Sequence, residues 1–217
     1  MIKSRVIVIT AILCAFGSAP VEAAATSHLN VSGTSINLDV GVLLPGSQSG
    51  CPLDTFLTLQ AATSVVHVGG PPSSGAGASG FIQQVDTCTG AVAFGSFDAP
   101  LGSGFAAGPH GATLNGSIVV TMVELDPEFN VIGTVDKILT ASALRLAAIQ
   151  AESFVAKTHS RLTGPSFISI SNGHSNESPA SVSGGLTLDG ADLLNDPTSG
   201  VSGSFQTGVQ ISMSITR

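Results

Sequence analysis

The sequence predicts an all-β protein, an antiparallel β-sandwich with long Gly/Ser-rich loops, and three observations carry that prediction. Apolar and polar residues alternate in segment after segment, as side chains do on the two faces of a strand. Helical spacing of apolar residues is nearly absent, and clusters of Gly, Pro, Ser, Asn and Asp separate the alternating segments at short intervals.

The N-terminus comes first. MIKSRVIVITAILCAFGSAPVEAAA has Lys3 and Arg5 ahead of an apolar run from Val6 to Phe16, then small residues around Ala23. That order is a secretory signal peptide, read here as residues 1–23, followed by a single domain over 24–217. The apolar run falls well short of the roughly 20 residues that a membrane-spanning helix needs, so no transmembrane anchor is expected after cleavage. The expected address is the periplasm, the cell surface or the medium. Cys14 leaves with the signal, because Leu13 stands where a lipoprotein site has a small residue.

Removing the signal takes Glu22 from the 14 acids and Lys3 and Arg5 from the 7 bases, which leaves 13 against 5 and a net charge of −8. Five dispersed bases (Lys137, Arg145, Lys157, Arg161 and Arg217) cannot neutralise a run of phosphates, so no nucleic acid is expected as a partner. Charged residues are only 10% of the chain, against about 25% in ordinary soluble domains. Solubility therefore rests on Ser, Thr, Asn and Gln on the outward positions of strands, while 43% hydrophobic residues suffice for a core.

Two cysteines remain, Cys51 and Cys88, 37 positions apart. An even pair in an oxidising compartment reads as a disulfide. Closing that loop stabilises the fold by about 4 kcal/mol in the chain-entropy model.

The strands follow in order. Ile36 to Val42 alternates cleanly, and residues 55–68 read as one or two more strands that end at Gly69-Gly70-Pro71-Pro72. PPSSGAGASG (71–80) reads as a low-complexity loop. Gly80 to Cys88 and Ala91 to Phe97 read as two strands that place Cys88 at a strand end. Asp98 to Gly111, with Pro100, Pro109 and several glycines, reads as a second exposed loop. Residues 112–125 and 130–141 form the clearest hairpin, since Asp126-Pro127-Glu128-Phe129 is turn chemistry. SALRLAAIQAESFVA (142–156) has the composition of one short helix, yet strand is preferred because a lone helix would have to find a sheet face to cover. Strands resume at Ser166 to Ser171, Ser181 to Leu188 and Gly208 to Thr216.

At VDTCTG (Val85 to Gly90), ATLNGSIVV (Ala112 to Val120) and ASVSGGLTLDG (Ala180 to Gly190), the chain resembles small exported bacterial β-proteins of unknown function. Those also pair an early cysteine with a later Asp-x-Cys-Thr-Gly, and the resemblance implies no activity. More distantly it is similar to fimbrial subunits, which place two similarly spaced cysteines near the mature N-terminus. The chain is longer than such subunits, and its last strand lacks the aromatic residue expected near its end.

Chemistry is sparse. No nucleophile elbow, zinc helix, P-loop, EF-hand or dinucleotide fingerprint occurs. His28, His67, His110, His159 and His174 lie in separate segments, although His159 and His174 would face each other across a hairpin if Leu162 to Pro165 turned the chain. Asp189, Asp192 and Asp196 are the candidate metal ligands, for Ca²⁺, against the plainer reading of two solvated turns. Asn30, Asn115 and Asn176 begin glycosylation patterns, which receive no role.

The mature chain has no Trp and no Tyr, which disfavours a sugar platform and an outer-membrane barrel with aromatic girdles. The expectation is an exported, non-enzymatic domain, structural or binding a protein or cell-surface partner. The alternatives are a fimbrial or adhesin-like subunit and a secreted hydrolase assembled from residues such as His159, Asp86 and Ser171.

Overall fold

The computed structural model describes residues 26–46, 50–68, 71–150, 153–164 and 167–216. The predicted signal segment lies outside the described residues. Eleven strands account for nearly all of the described chain: β1 (Thr26–Leu44), β2 (Leu53–Val68), β3 (Ser73–Asp86), β4 (Val92–Pro100), β5 (Phe105–Gly108), β6 (Gly111–Leu125), β7 (Val131–Ala148), β8 (Phe154–Thr163), β9 (Phe167–Leu188), β10 (Ala191–Asp192) and β11 (Gly200–Thr216). A short 3-10 turn at Gly102–Gly104 precedes β5.

All-β, antiparallel character is therefore observed, but the packing differs from a two-sheet sandwich. The strands form one sheet in which β9, β11, β1, β2, β3, β4, β6 and β7 pair in sequence, and β7 pairs back to β9. The hydrogen-bonded path closes into a ring. Between β4 and β6 only Val92–Phe94 and Val123–Leu125 pair, and β5 lies beside the other end of β6.

The long Gly/Ser-rich loops are corrected too. Ser73–Gly80 lies in β3, and Asp98–Gly108 is divided between β4, the 3-10 turn and β5. Residues 142–148 and 154–156 are strand, in line with the preferred reading of that segment.

The ring is filled by its own side chains. Ile36, Leu38, Val40 and Val42 of β1, Leu57 and Leu59 of β2, and Ile82 of β3 are buried on the same face as Val120, Met122, Leu144, Leu146 and Leu186. The small inward residue Gly80 makes room for the Phe97 ring, which a Cβ there would strike, along with the backbone oxygen of Thr58. Inward alternation continues through β7 because the strand has one extra residue at Ser142–Ala143 relative to both β6 and β9. That bulge turns Leu144 and Leu146 inward, as Leu139 and Ala141 already are.

The two ends of the ring differ. At one end, Leu53 pairs with Asp86, and Cys51 and Cys88 just beyond them sit at disulfide distance with their Cα atoms 5.5 Å apart. The Asp86 carboxylate accepts the backbone N–H groups of Cys88 and Thr89 at 2.9 Å, and Thr87 donates from both its N–H and its hydroxyl to the carbonyl of Pro52. The Asp-x-Cys-Thr-Gly segment is thus a turn that presents a cysteine, closed by Gly90 at φ 76°. At the other end β1, β2, β9 and β11 run on past the filled interior, and β8 pairs with β9 there. This extension is called the flange below.

Candidate functional site

The flange brings chemically distinct residues onto one face. Residues directly opposite in an antiparallel ladder share a face, so the register fixes the rows. One row reads Val65, Ser32, Val209, His174 and Lys157 across β2, β1, β11, β9 and β8. The next row outward reads His67, Asn30, Ile211, Asn172 and His159, and the next row inward reads Thr63, Thr34, Thr207, Asn176 and Val155. Five strands at the usual spacing span about 19 Å.

This face continues the apolar inner face of the ring, yet its residues are mostly Ser, Thr, Asn and His. A shallow groove of about 300 Å³ runs over it, lined by Ser32, Thr34, Thr63, Val65, His174, Thr207 and Val209. Below the groove, Asn176 has a buried Oδ1 with no hydrogen-bond partner.

The β8–β9 hairpin does form, but its register sets the two histidines diagonally rather than face to face. His159 stands opposite Asn172, and His174 opposite Lys157, so the imidazoles are diagonal neighbours on one face. His159 Nδ1 donates to Asn172 Oδ1 at 2.6 Å. Lys157, His159 and Arg161 alternate along β8 and therefore flank His174 on the same side. His67 lies on this face on β2, four strands from His159.

The proposed hydrolase residues are not brought together. Asp86 lies at the disulfide end, while His159 and Ser171 are in the flange on opposite faces, since Ser171 is opposite Ser160 and Ser212.

The three candidate calcium ligands each serve their own turn. Asp189 accepts the backbone N–H of Ile138 at 2.8 Å and pairs with Lys137 Nζ at 2.9 Å. The Ile138 N–H foremost, with Lys137, holds its pKa below the ordinary aspartate value. Asp192 accepts from the Asn195 side chain and from the N–H groups of Leu194 and Asn195, the Asn195 side chain lowering its pKa most. Asp196 accepts the Thr198 hydroxyl and N–H, with the same direction of shift. Among the described residues no group of three or more His, Cys, Asp or Glu side chains is placed to hold a metal ion.

All three glycosylation patterns begin within strands, Asn30 in β1, Asn115 in β6 and Asn176 in β9. Asn115 Oδ1 accepts the N–H of Ala143, and Asn176 lies in mid-strand between β11 and β8. No helix among the described residues is long and apolar enough to cross a membrane. Comparison with protein-family models, curated proteins and solved structures finds no match to this chain.

The residues that sequence reading passed over are Lys157, Arg161 and the threonines of the groove. Alternation of Lys157, His159 and Arg161 at i, i+2 and i+4 was the available sign, visible only once 154–163 is taken as a strand.

Proposed function

We propose that this chain is an exported, non-enzymatic β-domain that works by binding a partner through the flange. The observation that carries the reading is the flange itself. Below it the ring encloses the chain's own buried leucines, valines and isoleucines. The flange instead extends a polar face with an open groove and an edge that has no partner strand among the described residues, which is where a sheet protein meets other molecules. The predicted signal peptide supports export, and cysteines at disulfide distance fit an oxidising compartment.

The fimbrial alternative depends on strand exchange between copies. Antiparallel pairing of β8 with a second β8 about His159 would set Lys157 against Arg161 on both sides, and like charges directly opposite destabilise a ladder.

The test is a panel of ester, glycoside, phosphoester and peptide substrates assayed with the purified protein and its His159→Ala and His174→Ala variants. The expected result is no turnover above buffer in any of them. Turnover that disappears in either variant overturns the non-enzymatic reading.

A further inference from the structure

Strand β8 carries the inference, which rests on the reading of the flange as a binding surface and names the partner's chemistry. β8 is ten residues long and, among the described residues, pairs with β9 alone. Its register runs from Phe154 opposite Glu177 to Thr163 opposite Ile168 without a shift, and it contains no proline. The far side of the strand therefore presents a straight row of backbone donors and acceptors, the usual template for an added strand.

The side chains of β8 are sorted by face. Lys157, His159 and Arg161 share the groove side, while Phe154, Ala156, Thr158, Ser160 and Leu162 take the other. Phe154 and Leu162 are 67% and 63% exposed, apolar surface near either end of the strand that an added strand would cover. The one ion pair among the described residues is Lys137 with Asp189, and none of the described carboxylates forms an ion pair with Lys157 or Arg161. In a chain of net charge −7 this is a local cationic row on an open edge.

We propose that β8 accepts an extended acidic segment of a partner protein, which adds to the sheet as a further strand. Acidic residues at alternate positions face Lys157, His159 and Arg161, and apolar residues between them cover Phe154 and Leu162. Backbone hydrogen bonds supply the docking, and the alternating charge supplies the choice of partner and excludes a second copy of this chain.

The probe is a fluorescent decapeptide in which Glu alternates with Val and Thr. It is compared with the same peptide carrying Lys for Glu, with one carrying a central Pro, and with polyglutamate. Binding to the purified protein is read by anisotropy, and amide exchange is followed along β8. The Glu peptide is expected to bind and to slow exchange in β8, and the central Pro to weaken it at least tenfold. K157E/R161E is expected to weaken the Glu peptide at least tenfold and to admit the Lys peptide.

Absence of Glu-peptide binding overturns the proposal, as does equal binding to the charge-reversed protein. Equal binding of the Pro peptide or of polyglutamate does so too, because charge without a strand would then suffice. Self-association of K157E/R161E without peptide binding would show that Lys157 and Arg161 only guard the edge against copies. None of these failures bears on the non-enzymatic reading, which the substrate panel tests separately.

Discussion

Asn115 Oδ1 accepts the backbone N–H of Ala143 at 2.7 Å, and this one contact holds the bulge that reverses the facing of β7. Ala143 has φ 47°, in the left-handed region, and Gly184 on the neighbouring β9 has φ 99° where a Cβ would strike the carbonyl of Ala143. The left-handed conformation costs an alanine about 1 kcal/mol. Ala143→Gly is expected to raise the denaturation midpoint, and Asn115→Ala to lower stability by about 1 kcal/mol, the scale of one net hydrogen bond. Urea titration of the two variants checks both signs.

The disulfide should matter most to the end of the ring it closes. Cys51→Ser/Cys88→Ser is expected to lose about 2–4 kcal/mol, the lower part of that range because Leu53 and Asp86 are already paired beside it. Thermal unfolding with and without reductant measures it. The wild-type protein should respond to reductant and the double variant should not.

Gly80 tests how tightly the interior is filled. Gly80→Ala brings a methyl group onto Phe97 and the Thr58 carbonyl, and overpacking of this kind costs about 1–3 kcal/mol. Shortening the ring by Phe97→Leu should recover part of that loss. The double-mutant cycle is expected to be less than additive, since the two side chains compete for one space.

Acid should destabilise the fold through its turns. Thr89 and Cys88 backbone N–H groups lower the pKa of Asp86, the Asn130 side chain and backbone that of Asp126, and the turn partners described above those of Asp189, Asp192 and Asp196. Each folded-state value lies below the unfolded one, so the unfolded chain binds more protons as pH falls. The stabilisation is complete above the unfolded aspartate pKa of about 3.9 and is lost as pH drops through the lower folded values. Tm is expected to be level from neutral pH to about 5 and to fall below about 4. Asp126→Asn should make that fall shallower.

Some of this was legible in the sequence for plain reasons. The β6–β7 hairpin shows itself because Val and Ile alternate on both sides of Asp126, whose carboxylate accepts the N–H groups of Glu128 and Asn130. The cysteine pair was legible because, with Cys14 in the predicted signal segment, Cys51 and Cys88 are the two that remain.

Residues 142–156 were ambiguous for a physical reason. The bulge spaces the inward residues of β7 as 139, 141, 144 and 146, and the step of three from Ala141 to Leu144 imitates a helix. The flange was hidden because neither of its faces is consistently apolar. NGHSNESPASVSGG (172–185) has the composition of a loop, yet it is the middle of β9, paired with β11 and β8 over its first half and with β7 over its second. Contacts such as Gln210 Nε2 and the Ser212 hydroxyl donating to Ser171 Oγ help to hold that region, and hydrophobic patterning gives no sign of them. The candidate site depends on register between strands far apart in sequence, so the sequence could anticipate a hairpin bearing His159 and His174 but not the diagonal register that relates them.

The placement of the first and last strands also sets how the molecule would yield to traction. Thr26 stands opposite Ile215, so the ladder between β1 and β11 begins at the rim of the flange. Pulling those two ends apart peels the ladder rung by rung rather than shearing all its hydrogen bonds together. The crosslink between Cys51 and Cys88 lies at the far end and bears none of that load until the seam has parted. Separation of that seam would therefore open the flange first and leave the clasped end for last.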